Sequence, residues 1–454
     1  MLALTLTLAA LVIHGSSAAA ASGCDLIASP GGSDSAPGTE AEPLETATAL
    51  ISSLESGETG CLRAGTYVGR QFEIRTPGVT LTSFPGERAT LHGQLRFGYK
   101  ADGSVAENMN LDGRNDDELL GPLIYADDAI LRGNVITNHH QGICVAVSNY
   151  QDLPPTRGVL IENNVIHDCG ELPATNHHHG IYVSHARDTV IRNNVIYGNA
   201  DRGVQLYPDA DDSIVTGNVI DGNGQGVIFG GGPDSSSDDN LVAGNVITGS
   251  NIRWNIQSHW QGPVGSGNVA RDNCVWTTRD DYEGTPPGSG IEEMNGARAF
   301  DNVVADPGYA DPASGDYRLD GDSRCAAVLD GELPPPPVEE PTEPPTTPPG
   351  PGGGSSCQSG GGSSLGRQIV GTQGRDRLVG GRGSDRLAGK RGHDLIVGGD
   401  GGPDCLLGGR SSDRIRAVNG GRDIVKCGGG RDRATVDRKD RARGCERVIV
   451  RGRA

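Results

Sequence analysis

The chain has 454 residues and a net charge of −19, with 71 Gly, 27 Pro, 4% aromatic and 35% hydrophobic residues. So little bulk excludes a conventional globular core of this length and points to a repeating scaffold of small residues, in two or three domains. Charge is divided: from Arg367 onward 21 Lys and Arg stand against 11 Asp and Glu, net +10, while 18 stand against 47 before it, net −29.

Residues 1–21 are expected to be a secretory signal peptide, because an apolar run from Leu2 to Ile13 precedes small residues that suit cleavage near Ala20 or Ala21. No later segment has the length and apolarity of a membrane span. Ten cysteines in an exported chain read as disulfides. Neighbouring positions suggest Cys24 with Cys61, Cys144 with Cys169, Cys274 with Cys325, Cys357 with Cys405, and Cys427 with Cys445. The sequence leaves this connectivity open.

The body, residues 22–333, repeats the phrase "GNVI" or a close variant, with Asn at 134, 164, 194, 218, 245 and 268. Intervals of 23 to 30 residues belong to a solenoid of short strands. A second phrase, beginning at Gly142, Gly180, Gly203 and Gly226, alternates apolar and variable residues as a half-buried strand does. Stacked coils would bury Ile143, Ile181, Val204 and Val227 as one ladder. Asn134, Asn164, Asn194, Asn218 and Asn245 would form a second, their amides satisfying turn backbone.

These phrases resemble the secreted right-handed parallel β-helix proteins of the pectate-lyase-like superfamily, over about Cys24 to Leu329. The resemblance implies an amphipathic entry helix near Leu44 to Leu54 and an exit at "DPGYADPASGDYRL". It implies polysaccharide as the partner. The residue sets that mark the superfamily's polygalacturonases, mannuronan epimerases and pectate lyases are absent, so no catalytic residue carries over from it.

Candidate chemistry rests on "TNHHHGIYVSH", Thr175 to His185. Aligning the second phrase by its glycine puts Gln141, His179, Arg202 and Gln225 in one column, and His140, His178, Asp201 and Gly224 in the column before it. Coils stack about 4.8 Å apart, which gathers His178, His179, Asp201 and Arg202 into one patch, with His185, Tyr207 and Arg253 near it as substrate-binding residues. In a catalytic reading His178 or His179 is the base or acid, Arg202 neutralises a uronate carboxylate or a developing oxyanion, and Asp201 orients a histidine. Two other readings stand beside it: a metal held by His177, His179 and a side chain of another coil, and polar trim on a solenoid face. The inserts "SNYQDLPPTRG" and "CGELPATN" are expected to wall a groove beside the patch.

A Pro- and Gly-rich spacer, 334–366, precedes the tail, 367–454. There Asp376, Asp385, Asp394, Asp404, Asp413 and Asp423 recur every nine or ten residues. The spacing resembles the calcium-binding nonapeptide repeats of repeats-in-toxin proteins, which implies calcium as cofactor, those aspartates as ligands, and Leu378, Leu387 and Leu395 as a thin core. Like-facing turns recur two repeats apart, pairing Asp376 with Asp394 and Asp385 with Asp404. Asp–Arg pairing without metal is the alternative. Nucleic acid is disfavoured because acidic and basic residues alternate there without aromatics.

The expected fold is therefore all-β: a right-handed parallel β-helix solenoid followed by a Gly/Asp-rich parallel β-roll. The expected activity is lyase-type cleavage of an acidic glycan, outside the cell or at its surface. The alternative is a non-catalytic glycan-binding or matrix protein on the same scaffold.

Overall fold

The computed structural model describes residues 23–115, 121–329, 333, 365–371, 376–379, 384–398, 403–417 and 422–450. The expected leader 1–21, residues 334–364 and Cys357 of the expected Cys357–Cys405 pair lie outside them. Among the described residues no helix is long and apolar enough to cross a membrane.

The body is a right-handed parallel β-helix. An 11-stranded parallel sheet forms one wall, and a 16-stranded sheet bends round to form the other two. The entry helix, Ala47–Ser53, starts at Thr46, whose hydroxyl accepts from the Ala49 amide, and buries Ala47, Leu50 and Ile51 over the first coil. At the far end a hairpin, Tyr309–Asp311 with Asp316–Leu319, lays Tyr309 and Tyr317 against the last coils. Cys24–Cys61, Cys144–Cys169, Cys274–Cys325 and Cys427–Cys445 are disulfides.

The apolar ladder exists with one correction. Ile181, Val204, Val227 and Ile256 stack in register, but their partner in the preceding coil is Val145, two residues beyond Ile143. Cys144 stands in the column of Gly180, Gly203 and Gly226. That column points across a narrow interior: a Cβ on Gly203 would lie 2.6 Å from Ile220 Cγ2, and one on Gly226 2.6 Å from Ile247 Cγ2. Glycine relieves this approach in three coils, and in the fourth a disulfide to Cys169 uses it. The shift removes Gln141 and His140 from the columns of His179 and His178, and puts Ile143 and Gly142 there.

The asparagine ladder runs from Asn134 through Asn164, Asn194, Asn218 and Asn245, each backbone amide donating at 2.9–3.0 Å to the next Oδ1. Its continuation is Asn273 and then Asn302, not Asn268. Asn268 serves a parallel ladder with Asn240. The turn of Asn240 and Asn268 therefore uses the same amide device as that of Asn245 and Asn273, which is why the "GNV" phrase alone misplaced the last coil.

In the tail two five-stranded parallel sheets face each other as a β-roll. Leu378, Leu387, Ile396, Leu406 and Ile415 fill the space between them. Leu395 is 36% exposed, so Ile396, two residues after Asp394, takes the core place expected of it.

Candidate functional site

The strands Val145–Val147, Ile181–Val183, Arg202–Leu206, Gln225–Gly231 and Ile256–Trp260 lie side by side in one wall of the β-helix. The inward glycine column interrupts simple alternation at their start. His179, Arg202 and Gln225 therefore turn away from the core, followed on the same side by the register row Ala146, Tyr182, Gln205 and Ile228.

Six of the seven expected residues are brought to this wall or its edge, but not in the roles expected of all of them. Asp201 orients no imidazole. Its Oδ1 accepts the Asn176 amide at 2.8 Å and its Oδ2 the His178 amide at 3.0 Å, so it fixes the backbone of the histidine loop. His177 is exposed and His178 half-buried. His179 is 2% exposed, its ring edge-on to Tyr182 at 5.7 Å. Burial, then the neighbouring charge of Arg202, holds its pKa well below the ordinary histidine value, so the ring is neutral. Tyr182 is shifted up by burial and stays protonated.

Arg202 is buried, its pKa brought to about 10 first by burial and then by Arg253. What compensates it was not legible in the sequence. Asn176, in the left-handed region at φ 73°, turns its carbonyl and side chain back onto the guanidinium. Arg202 Nη1 donates to the Asn176 backbone oxygen at 3.1 Å and to Gln205 Oε1 at 3.3 Å, and Nη2 donates to Asn176 Oδ1 at 2.6 Å. Arg253 Nη1 donates to the same Oδ1, also at 2.6 Å. One neutral amide oxygen thus sits between two guanidinium groups, where a carboxylate oxygen would bind more strongly.

Tyr207 follows its strand on the outward side, against Gly230. His185 lies apart from the patch, in the left-handed region, its Nδ1 2.8 Å from Ser184 Oγ.

The root of the histidine loop is tied on another wall. His140 Nδ1 lies 3.0 Å from the Gly170 carbonyl oxygen and its Nε2 3.5 Å from Asp168 Oδ1, while His167 Nδ1 lies 3.1 Å from Asp168 Oδ2. Burial opposes ionisation of Asp168, but the two imidazoles outweigh it and hold its pKa far below the usual carboxylate range. His139 nearby is pushed down to about 4, mainly by burial.

Among the described residues no three His, Cys, Asp or Glu side chains converge as a metal-binding group. The tail aspartates instead form two stacks. In one, the amides of Asp376, Asp394 and Asp413 donate at 2.8–2.9 Å to Oδ1 of Asp394, Asp413 and Asp432 in turn; in the other, those of Asp385 and Asp404 donate to Asp404 and Asp423. The expected two-repeat pairing is therefore present. Oδ2 of Asp394, Asp413 and Asp432 is buried without a hydrogen-bond partner. Burial pushes Asp394 up to about 6 and Asp413 to about 7. A row of three buried carboxylate oxygens lacking donors fits a hard divalent cation as neutraliser.

Residues 105–273 match the family model described as "Periplasmic copper-binding protein (NosD)", and residues 370–402 match "RTX calcium-binding nonapeptide repeat (4 copies)". No curated protein matches the chain. Among solved structures, a pectate lyase, Pel9A, is 13% identical over 67% of this chain and 92% of its own, with a TM-score of 0.44. XylC in complex with xylose is 11% identical over 63% and 87%, TM-score 0.40. The PL6-family alginate lyase AlyGC is 13% identical over 89% and 78%, TM-score 0.33. The strand pairing and the repeats define the class: a right-handed parallel β-helix body, similar over residues 105–273 to the NosD family, with a C-terminal tail of repeats-in-toxin sequence.

Proposed function

We propose that the chain is an exported polysaccharide lyase that cleaves an acidic glycan by β-elimination in the groove over His179 and Arg202. The observation that carries this reading is the oxygen of Asn176 between Arg202 and Arg253, beside a neutral imidazole. A uronate carboxylate takes the place of that amide oxygen, and the loop carrying Asn176 lifts from His179 as it does so. The paired guanidiniums neutralise the carboxylate and stabilise the carbanion-like charge that develops beside it. His179 accepts the proton from the carbon next to the carboxylate. The C–H electron pair becomes a carbon–carbon double bond, the glycosidic C–O bond breaks, and the leaving oxygen takes the proton of Tyr182. Tyr207 lies on the sugar's path, and Asp201, accepting the Asn176 and His178 amides, holds the loop down until the carboxylate enters.

In this proposal residues 1–21 direct export, 22–333 form the catalytic body, 334–366 space it from the tail, and 367–454 bind calcium through Asp394, Asp413, Asp432 and their stack neighbours. Bound calcium supplies the positive charge that keeps these carboxylates ionised. The second reading, a non-catalytic glycan-binding or matrix protein, is favoured by the 2% exposure of His179. Release of unsaturated ends from polygalacturonate, alginate and chondroitin sulfate separates the two readings: a lyase generates them, and a binder retains the polymer intact.

A further inference from the structure

The same wall carries a second cluster, several coils nearer the N-terminus. Tyr99 and Tyr150 stack at 4.8 Å and 14°, and Tyr125 meets Tyr150 edge-on at 5.4 Å. The Arg96 guanidinium lies over both Tyr125 and Tyr150, at 5.0 and 5.5 Å, and the Lys100 ammonium is 5.3 Å from the Tyr99 ring centre. None of this is core packing: the outward register row runs from Arg96 through Leu123 and Ala146 to Tyr182. Tyr99 is 42% exposed, although burial of a ring is worth more than exposure of one. Tyr150 belongs to the first of the two inserts, so this loop brings an aromatic ring onto Tyr99 and Tyr125.

We infer that Tyr99, Tyr125 and Tyr150 with Arg96 and Lys100 form a remote subsite for an anionic sugar unit of the same glycan chain that reaches Arg202. This rests on the proposed glycan-cleaving function. An exposed tyrosine face takes the apolar C–H face of a pyranose ring, and a cation beside it takes the ring's carboxylate or sulfate. Cations are scarce before Arg367, where the net charge is −29, yet Arg96, Lys100, Arg202 and Arg253 collect along one wall. Three register steps separate Arg96 from Tyr182, about 14 Å at ~4.8 Å per coil. One ligand touching both places must be a chain of several sugar units lying along the solenoid axis.

The test is affinity electrophoresis of the full chain through gels holding polygalacturonate, alginate or chondroitin sulfate, which reads binding without turnover. Tyr99→Ala and Tyr150→Ala are expected to weaken retardation by the best polymer at least threefold, and Tyr99→Phe to retain it. Affinity for di- and trisaccharide fragments, measured by calorimetry, should be unchanged in all three. Retardation of folded Tyr99→Ala equal to the parent's would overturn the subsite and leave the lyase reading standing. No retardation of the parent by any of the acidic polymers would overturn both. Circular dichroism melting checks that each variant is folded, and Tyr99, being exposed, is the variant on which the decision rests.

Discussion

Asn176 Oδ1 lies 2.6 Å from Arg202 Nη2, and the same oxygen accepts from Arg253. The chain therefore holds its own polar group in the place proposed for a substrate carboxylate. Asn176→Gly removes the side chain at a position whose φ of 73° glycine adopts freely, so the backbone should not move. Hydrogen bonds to charged groups are worth about 1.5–3 kcal/mol, and KM for the acidic glycan is expected to fall at least threefold. Asn176→Asp places a carboxylate there permanently and should raise KM tenfold or more. Steady-state kinetics on the two variants checks the opposite signs.

His179→Gln is expected to lower kcat by about 10²–10⁴, the range for loss of a general base, with little change in polymer retention. The pH profile adds a sign. Burial and Arg202 depress the His179 pKa, so the base stays unprotonated as pH falls through the ordinary histidine value of 6.5. The acid limb of kcat/KM should lie well below that value. A limb at or above 6.5 would assign the base elsewhere.

The tail gives a linked pH and metal prediction. Asp394 and Asp413 are pushed by burial up to about 6 and about 7 from the ordinary aspartate value of 3.8, so the folded tail binds more protons than the unfolded one across that window. Its stability without calcium should fall as pH rises from about 4 to 7. Calcium favours the ionised carboxylates. At a hundred times its dissociation constant it should add about 2.7 kcal/mol at pH 7.5 and far less at pH 5. Differential scanning calorimetry with calcium and with a chelator reads both effects.

The asparagine ladder sets the stability of the coils. Asn194 Oδ1 accepts both the amide and the side-chain Nδ2 of Asn164, and Asn194 Nδ2 donates to the Ile161 carbonyl. Asn194→Ala removes the acceptor of the buried Asn164 amide at about 1–3 kcal/mol, while Asn164 Nδ2 keeps the Leu131 carbonyl. The urea midpoint of the body should drop accordingly, while the calcium-dependent tail transition stays in place.

The sequence showed the repeat, four of the disulfide pairs and the two-repeat aspartate pairing, because each is written in local spacing, and the entry helix and the exit followed from the resemblance to other β-helix proteins. It failed where one position serves two purposes. Cys144 replaces a glycine in the inward column, so aligning on Gly142 slipped that coil by two residues. Asn268 carries the right phrase in a different turn from Asn245 and Asn273. Leu395 precedes the true core residue Ile396. Asn176 had no signal beyond its place before three histidines, because its role depends on a left-handed backbone and on Arg253, 77 residues further on.

The central claim is tested most directly by the ultraviolet absorbance of unsaturated ends released from acidic polysaccharides, for the parent, His179→Gln and Arg202→Lys. The account predicts release by the parent on at least one uronate polymer and near-complete loss in both folded variants, since lysine cannot reproduce the guanidinium pairing. Release that persists unchanged in His179→Gln, or no release by the parent from any uronate polymer, would contradict it.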